Sequence, residues 1–160
     1  MPTLFESIRK RFYKRIENDG DFFAYYNISV NDAIELAEKR ANGYLIDAID
    51  RLTNTCTPDI DFYDYDEEMF NVELTSKEIG LLAGLMYEIY FDRDLVLLKA
   101  FKIAMTPSDL NQFSPASERK TFTDMVNKIK LDNDNTIDHY IAVDRLTGNP
   151  KMINHSQYEY

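Results

Sequence analysis

Apolar residues recur three or four positions apart along most of this chain, which is the spacing of one face of an α-helix. The first such stretch covers residues 2–18. Its apolar face consists of Leu4, Phe5, Ile8, Phe12 and Ile16, and its polar side is strongly basic. Pro2 suits a first helical residue, and Asn18 to Gly20 end the helix because Asn and Gly tolerate a left-handed conformation. The aromatic segment 21–30 fits either an extended segment or a short helical turn.

A second, longer helix is predicted to begin at Ser29, whose hydroxyl suits an N-cap with Asp32 in the acidic first turn. Its narrow apolar stripe continues to Asn54 and consists of Ile34, Ala37, Ala41, Leu45, Ala48 and Leu52. The pattern then fails over residues 53–72, which hold Pro58, many acids and several aromatics. This segment is predicted to be a surface loop that its aromatic side chains hold against the core.

A capping box follows at Thr75 and Glu78, where each side chain can bond the other residue's backbone N–H. The helix after it is the most apolar segment and is predicted to form the centre of the core. Its apolar face consists of Ile79, Leu82, Ala83, Met86, Ile89 and Tyr90, and Gly80 and Gly84 predict a flat patch for close helix contact. The charged residues 92–94 are expected to interrupt it before a further helix over residues 95–105, with a turn at 107–109.

The last helix is predicted to begin at Ser114 as N-cap and Pro115 as first helical residue. Apolar spacing continues for about 28 residues, or about 42 Å at the helical rise, with Asn133 as one polar interruption. This exceeds what a compact domain of 160 residues needs, so we expect the helix either to reach past its own subunit or to pack along a neighbouring molecule. The chain then becomes polar, which predicts a helical domain over residues 1–143 and a tail or arm over residues 144–160.

Together these elements predict an all-α fold: a helical bundle with a long C-terminal helix, an irregular acidic loop and an extended C-terminal arm. No apolar run approaches the roughly 20 residues of a membrane span, and the first residues lack the pattern of a secretion signal. We therefore expect a soluble, unsecreted protein without membrane contact.

Charge is distributed unevenly within a net charge of −10. An acidic balance argues against general binding to a phosphate backbone, which needs a clustered positive surface. The first helix nevertheless carries a basic cluster, and residues 59–73 carry acids without Lys or Arg. The candidate contact residues are Arg9, Lys10, Arg11, Lys14, Arg15, Asp61, Asp64, Asp66, Glu67 and Glu68, with Met152, Ile153, Tyr158 and Tyr160 in the tail. Such poles can attract one another between identical subunits, or the basic segment can contact nucleic acid or an acidic partner.

Residue types that carry catalysis are scarce in this sequence. Cys56 is the only cysteine, and His139 and His155 lie far from it and from each other. Residues 132–138 begin like a calcium loop but lack its glycine and closing glutamate, which are replaced by Ile137 and Val143. We therefore predict no enzyme, no cofactor and no metal site.

One stretch resembles a known family. Residues 74–79 (LTSKEI), 81–86 (LLAGLM) and 109–117 (DLNQFSPAS) resemble neck proteins of tailed bacteriophages, and more narrowly the head–tail adaptor (connector) family. The resemblance implies a structural virion protein, made in the host cytoplasm, that forms a homomeric ring under the portal. Such a ring extends the DNA channel and gives the tail a docking surface, so the implied partners are further copies, the portal protein and a stopper or tail-completion protein. Packaged DNA would pass through without specific binding.

This sequence departs from the family pattern because it lacks a tryptophan in the central helix, where Tyr87 and Tyr90 supply the aromatics. Its acidic segment 59–73 is a further departure. Two alternatives therefore remain: a tail-completion or stopper protein of the same neck, and a small helical regulator that binds DNA or protein.

Overall fold

The computed structural model describes residues 1–56, 63–64, 68–109 and 115–151. Its helices are α1 (Phe5–Arg15), α2 (Gly20–Phe23), α3 (Val30–Thr55), α4 (Ser76–Ala104) and α5 (Ala116–Ala142), and a minimal antiparallel hairpin pairs β1 (Tyr63–Asp64) with β2 (Met69–Phe70). Most of the described residues are helical and very few are in strands, so the predicted all-α helical bundle is confirmed.

The N-terminal segment is extended where a helix was predicted. Leu4 has φ −74° and ψ 146°. Thr3 N donates to Val72 O, just after β2, at 3.2 Å, and Phe70 N in β2 donates to Thr3 O at 2.8 Å. Pro2 therefore lies in an extended strand-like segment, not at a helix start. Leu4 is 47% exposed because it precedes the helix, whereas the other four apolar positions predicted for α1 are buried.

α4 forms the centre of the bundle, as predicted, and packs against α1, α3 and α5. Leu82, Ala83, Met86 and Tyr90 are at most 2% exposed. The predicted stripe of α3 is also buried from Ala37 to Leu52, but its first member Ile34 is 54% exposed. Ile34 lies near the N-terminus of α3, outside the apolar cluster that joins the helices.

The predicted interruption of α4 at residues 92–94 is wrong, because α4 runs unbroken for 29 residues. These charged side chains are satisfied on the helix surface: Lys130 donates to Asp92 at 2.8 Å, and Arg93 donates to the Tyr44 hydroxyl at 3.0 Å. Charged residues, unlike proline, do not break a helix interior. Beyond Tyr90, Leu95 is the one buried side chain among those described on α4.

The positions at which helices begin and end differ from the prediction at two further points. Residues 107–109 are helical, not a turn, and the Thr106 hydroxyl accepts from Asp109 N at 3.3 Å as an N-cap does. Pro115 occupies the N-cap of α5 and is not its first helical residue. α5 has 27 residues, close to the predicted length.

Candidate functional site

A cavity of about 490 Å³ lies between α1, the start of α4 and the end of α5. Cationic side chains from all three regions surround it. Its walls are formed by Arg11, Arg15, Thr75, Ser76, Lys77, Gly80, Leu81, Asn133, Thr136, His139, Tyr140, Val143, Asp144 and Arg145. We call it the arginine cavity because Arg11, Arg15 and Arg145 all border it.

The capping box fixes the start of α4 at one end of the cavity. Thr75 N donates to Glu78 Oε2 at 2.6 Å, and Glu78 N donates to Thr75 Oγ1 at 3.3 Å, which confirms the predicted reciprocal pair. Arg145 Nε donates to Glu78 Oε1 at 2.7 Å. Burial raises the pKa of the Glu78 carboxyl, but the hydrogen bonds from Arg145 and Thr75 outweigh burial and leave this pKa lowered. Glu78 is thus a charged carboxylate whose charge is balanced by Arg145.

Two glycines of α4 make room for the guanidinium groups of α1. A Cβ atom at Gly80 would lie 3.1 Å from Arg11 Nη2, and one at Gly84 would lie 3.2 Å from Arg15 Nη1. Arg11 Nη1 also donates to the carbonyl oxygen of Ser76 at 3.1 Å. Because residues four apart are about 6 Å apart along a helix, both guanidiniums lie on one face of α4. The glycines were predicted to serve close helix contact, and the groups that approach them are polar side chains of the neighbouring helices α1 and α5.

The structure describes no carboxylate beside the arginine pair. Within the described residues, no carboxylate oxygen lies within 4.0 Å of the guanidinium of Arg11 or Arg15. Burial, and then the charge of Arg11, lower the pKa of Arg15. An anion between the two groups would relieve this repulsion.

The carboxylate of Asp144, which also borders the cavity, is engaged elsewhere. Its Oδ1 accepts from Thr147 N at 2.7 Å and from Leu146 N at 3.1 Å, so it closes the turn that follows α5. These backbone hydrogen bonds, the one from Thr147 first, lower the pKa of Asp144. Gly148 completes the turn with φ +71°, and Val143 then bridges to Pro150.

The structure divides the predicted basic cluster into three environments. Arg9 is 7% exposed, and its Nη1 donates to Glu68 Oε2 at 2.6 Å and to Asn42 Oδ1 at 2.8 Å. Lys10 pairs with Glu6 at 2.7 Å on the exposed face of α1. Lys14 is exposed and lies outside the arginine cavity. Only Arg11 and Arg15 converge on one site.

The predicted acidic and tail contacts are only partly described. Glu68 has φ +48° and binds Arg9 of its own chain, so this oppositely charged pair is already formed within the subunit. The backbone of Asp64 lies in β1 opposite Met69. The other predicted contacts, Asp61, Asp66, Glu67, Met152, Ile153, Tyr158 and Tyr160, lie outside the described residues, as does the side chain of Asp64.

A buried polar network beside the cavity was not predicted. Glu88 is 1% exposed in the most apolar helix, and its Oε1 contacts Nη1 of Arg51. Asn133 Nδ2 donates to Glu88 Oε2 at 2.8 Å and to Gly84 O at 3.1 Å. Arg51 extends the network to Asp134 at 2.8 Å. In the sequence, only the polar Asn133 at an apolar-spaced position of α5 indicated such a network. Its partners could not be predicted because they are 45 to 49 residues away in the chain.

Neither a metal site nor a membrane span is found in the part of the chain that the structure describes. No cluster of three His, Cys, Asp or Glu side chains there could hold a metal ion, and no described helix is long and apolar enough to cross a bilayer. Residues 132–138, which begin like a calcium loop in sequence, belong to α5 and so do not form a loop.

No protein-family model, no curated protein and no solved structure matches this chain.

Proposed function

We propose that this chain is a structural virion protein of a tailed phage, a head–tail adaptor that forms a ring under the portal. The resemblance of residues 74–117 to the adaptor family supports it. The order of elements is compatible with that family: a capped apolar helix, a connection, and a long final helix. In this proposal the protein acts in the virion neck, and its partners are further copies of itself, the portal protein and a stopper or tail-completion protein.

The observation that carries the assembly part of the proposal is the surface of α4 beyond the main core. Val96 is 57%, Leu97 49% and Ile103 88% exposed. On α5, Leu131 is 60% exposed. Val96 and Ile103 are about two helical turns apart and therefore share one face of α4, and exposed apolar side chains on one face of a long helix are typical of a surface that another protein covers. A subunit that forms a ring needs such a surface, and an isolated domain gains nothing from it.

Fewer charged residues are available for attraction between subunits than the sequence alone suggested. Arg9 and Glu68 neutralise each other within one chain. Attraction between neighbouring subunits would therefore use the exposed cations of α1, such as Lys14, and the acids of residues 59–67. A heterologous contact of this kind closes rings when the rotation between subunits allows it.

A pair of variants distinguishes loss of the assembly surface from a general loss of folding. Ile103→Asp places a charge on the exposed end of α4, and Val30→Asp places the same charge at the first turn of α3, where Val30 is 76% exposed. Portal particles of the same phage would be mixed with each variant and imaged by electron microscopy. We expect ring density with Val30→Asp and none with Ile103→Asp. Ring density with both variants would show that Ile103 lies outside the contact.

A regulator that binds DNA is the second candidate, and one observation favours it. A groove of about 440 Å³ between α4 and α5 is bordered by Lys99, Lys102, Arg119 and Lys120. Asp124 borders the same groove and reduces its charge. Binding of duplex DNA that weakens steeply with salt would support the regulator, whereas an adaptor should show little specific binding.

A further inference from the structure

We propose that the arginine cavity binds a small organic phosphate, with the phosphate group between the guanidiniums of Arg11 and Arg15. This inference goes beyond the adaptor proposal and does not depend on it. It rests on the arrangement of α1 against α4 and on the shape and charge of the cavity.

The first argument is the placement of the two arginines. Gly80 and Gly84 are spaced by four residues on α4, and each has one guanidinium group over its Cα position, at 3.1 Å and 3.2 Å from where a Cβ would be. A Cβ at Gly80 would require Arg11 to shift by a few tenths of an ångström, and a Cβ at Gly84 would require the same of Arg15 while also lying 2.8 Å from Asn133 Oδ1. The backbone of α4 therefore holds two planar, fully charged donor groups on the same wall of one cavity, and guanidinium forks bind oxyanions with paired hydrogen bonds.

The second argument is charge. The carboxylates near the cavity already have partners: Glu78 binds Arg145, and Asp144 closes its own turn. Lys77 and His139 add further potential donors around the same space. A phosphate monoester carries close to two negative charges and three acceptor oxygens. It would balance both guanidiniums, whereas one carboxylate would leave one of them uncompensated.

The third argument is the shape of the cavity. A volume of about 490 Å³ is within the range of small-molecule sites and exceeds what an inorganic ion fills. Leu81, Val143 and the ring of Tyr140 supply apolar wall for an organic group. The first turn of α4 also borders the cavity, and the positive end of a helix dipole favours an anion there. A rigid DNA duplex would not enter a cavity of this size.

Isothermal titration calorimetry at constant ionic strength tests this proposal, with adenosine monophosphate, inorganic phosphate and acetate as probes. We expect saturable one-site binding of adenosine monophosphate, weaker binding of inorganic phosphate and no measurable binding of acetate. Arg15→Gln should weaken the nucleotide about 10-fold or more, since it removes a charge-assisted contact. Lys14→Gln is the matched control: it removes one positive charge from the same helix, outside the cavity, and should change affinity less than about 2-fold.

Gly80→Ala provides a second variant that keeps every charge. The added methyl group would displace the flexible end of Arg11, while alanine favours the helix by about 1 kcal/mol relative to glycine. We expect a folded protein with weaker nucleotide binding. Three results would overturn the proposal: no saturable binding to the wild type, equal loss in Lys14→Gln and Arg15→Gln, or acetate binding as tightly as the nucleotide.

Discussion

The buried network of Arg51, Glu88 and Asn133 makes the sharpest stability prediction. Glu88 is 1% exposed and relies on Arg51, whose side chain is 28% exposed, for its opposite charge. Replacing one member of a buried ion pair leaves the other without compensation, which costs about 3–5 kcal/mol in fully buried cases. Because Arg51 is partly solvated and Asn133 still donates to Glu88, we expect Arg51→Ala to lower the free energy of unfolding by about 2–3 kcal/mol.

Urea unfolding followed by circular dichroism measures this free energy, and a double variant separates lost charge from lost packing. Arg51→Met with Glu88→Leu removes both charges and should cost less than Arg51→Ala alone, because no buried charge is left unpaired and Asp134 is exposed. Lys39→Ala is the control, since Lys39 and Glu35 form an exposed pair at 2.7 Å on the same helix, and it should cost about 0.5 kcal/mol or less. If Arg51→Ala costs no more than Lys39→Ala, the reasoning about the buried charge is refuted.

Four further predictions each concern a single position. Gly84→Ala should destabilise by about 1–3 kcal/mol, because its Cβ would lie 2.8 Å from Asn133 Oδ1. A Cβ at Gly43 would meet no atom within 4 Å, so Gly43→Ala should stabilise the protein by up to about 1 kcal/mol. Equal urea midpoints for Gly84→Ala and Gly43→Ala would contradict both expectations. Thr75→Ala should lower the free energy of unfolding by about 1 kcal/mol because the helix cap is lost. An unchanged urea midpoint would contradict a stabilising role for this cap. Burial raises the pKa of Tyr13 from 10.0 to about 12, so its stabilising contribution should be full below pH 10 and lost between pH 10 and about 12; Tyr13→Phe should flatten that decline, and a parallel decline in both proteins would refute it.

Local patterns predicted much of the fold. The Ser29 cap is confirmed by Asp32 N donating to Ser29 Oγ at 3.2 Å, and the Thr75 capping box by two hydrogen bonds. α5 is close to its predicted length. These features depend on residues within one helical turn or on a repeating spacing, so the sequence contains all that determines them.

Tertiary contacts explain the errors. Pro2 and Leu4 are extended because Thr3 bonds residues about 70 positions away, a contact no local pattern reveals. α4 continues through residues 92–94 since Lys130 and Tyr44, from two other helices, satisfy its charged side chains. Propensity alone does not anticipate such compensation.

The arginine cavity was partly accessible to sequence reasoning. Arg11 and Arg15 are four residues apart and therefore share a helix face, whereas Arg9 lies on another. Grouping all the cations of α1 into one cluster concealed this difference. The remaining walls come from α4 and from the end of α5, and only packing brings those segments together. The sequence pattern predicted a flat patch at Gly80 and Gly84, but which groups occupy that patch depends on side chains of α1 and α5.

The most direct test of the adaptor proposal is electron microscopy of phage portal particles, with and without this chain. The adaptor proposal predicts an additional ring of density coaxial with the portal channel in the mixed sample. Portal particles that look identical in the two samples, at saturating concentrations of the chain, would contradict it.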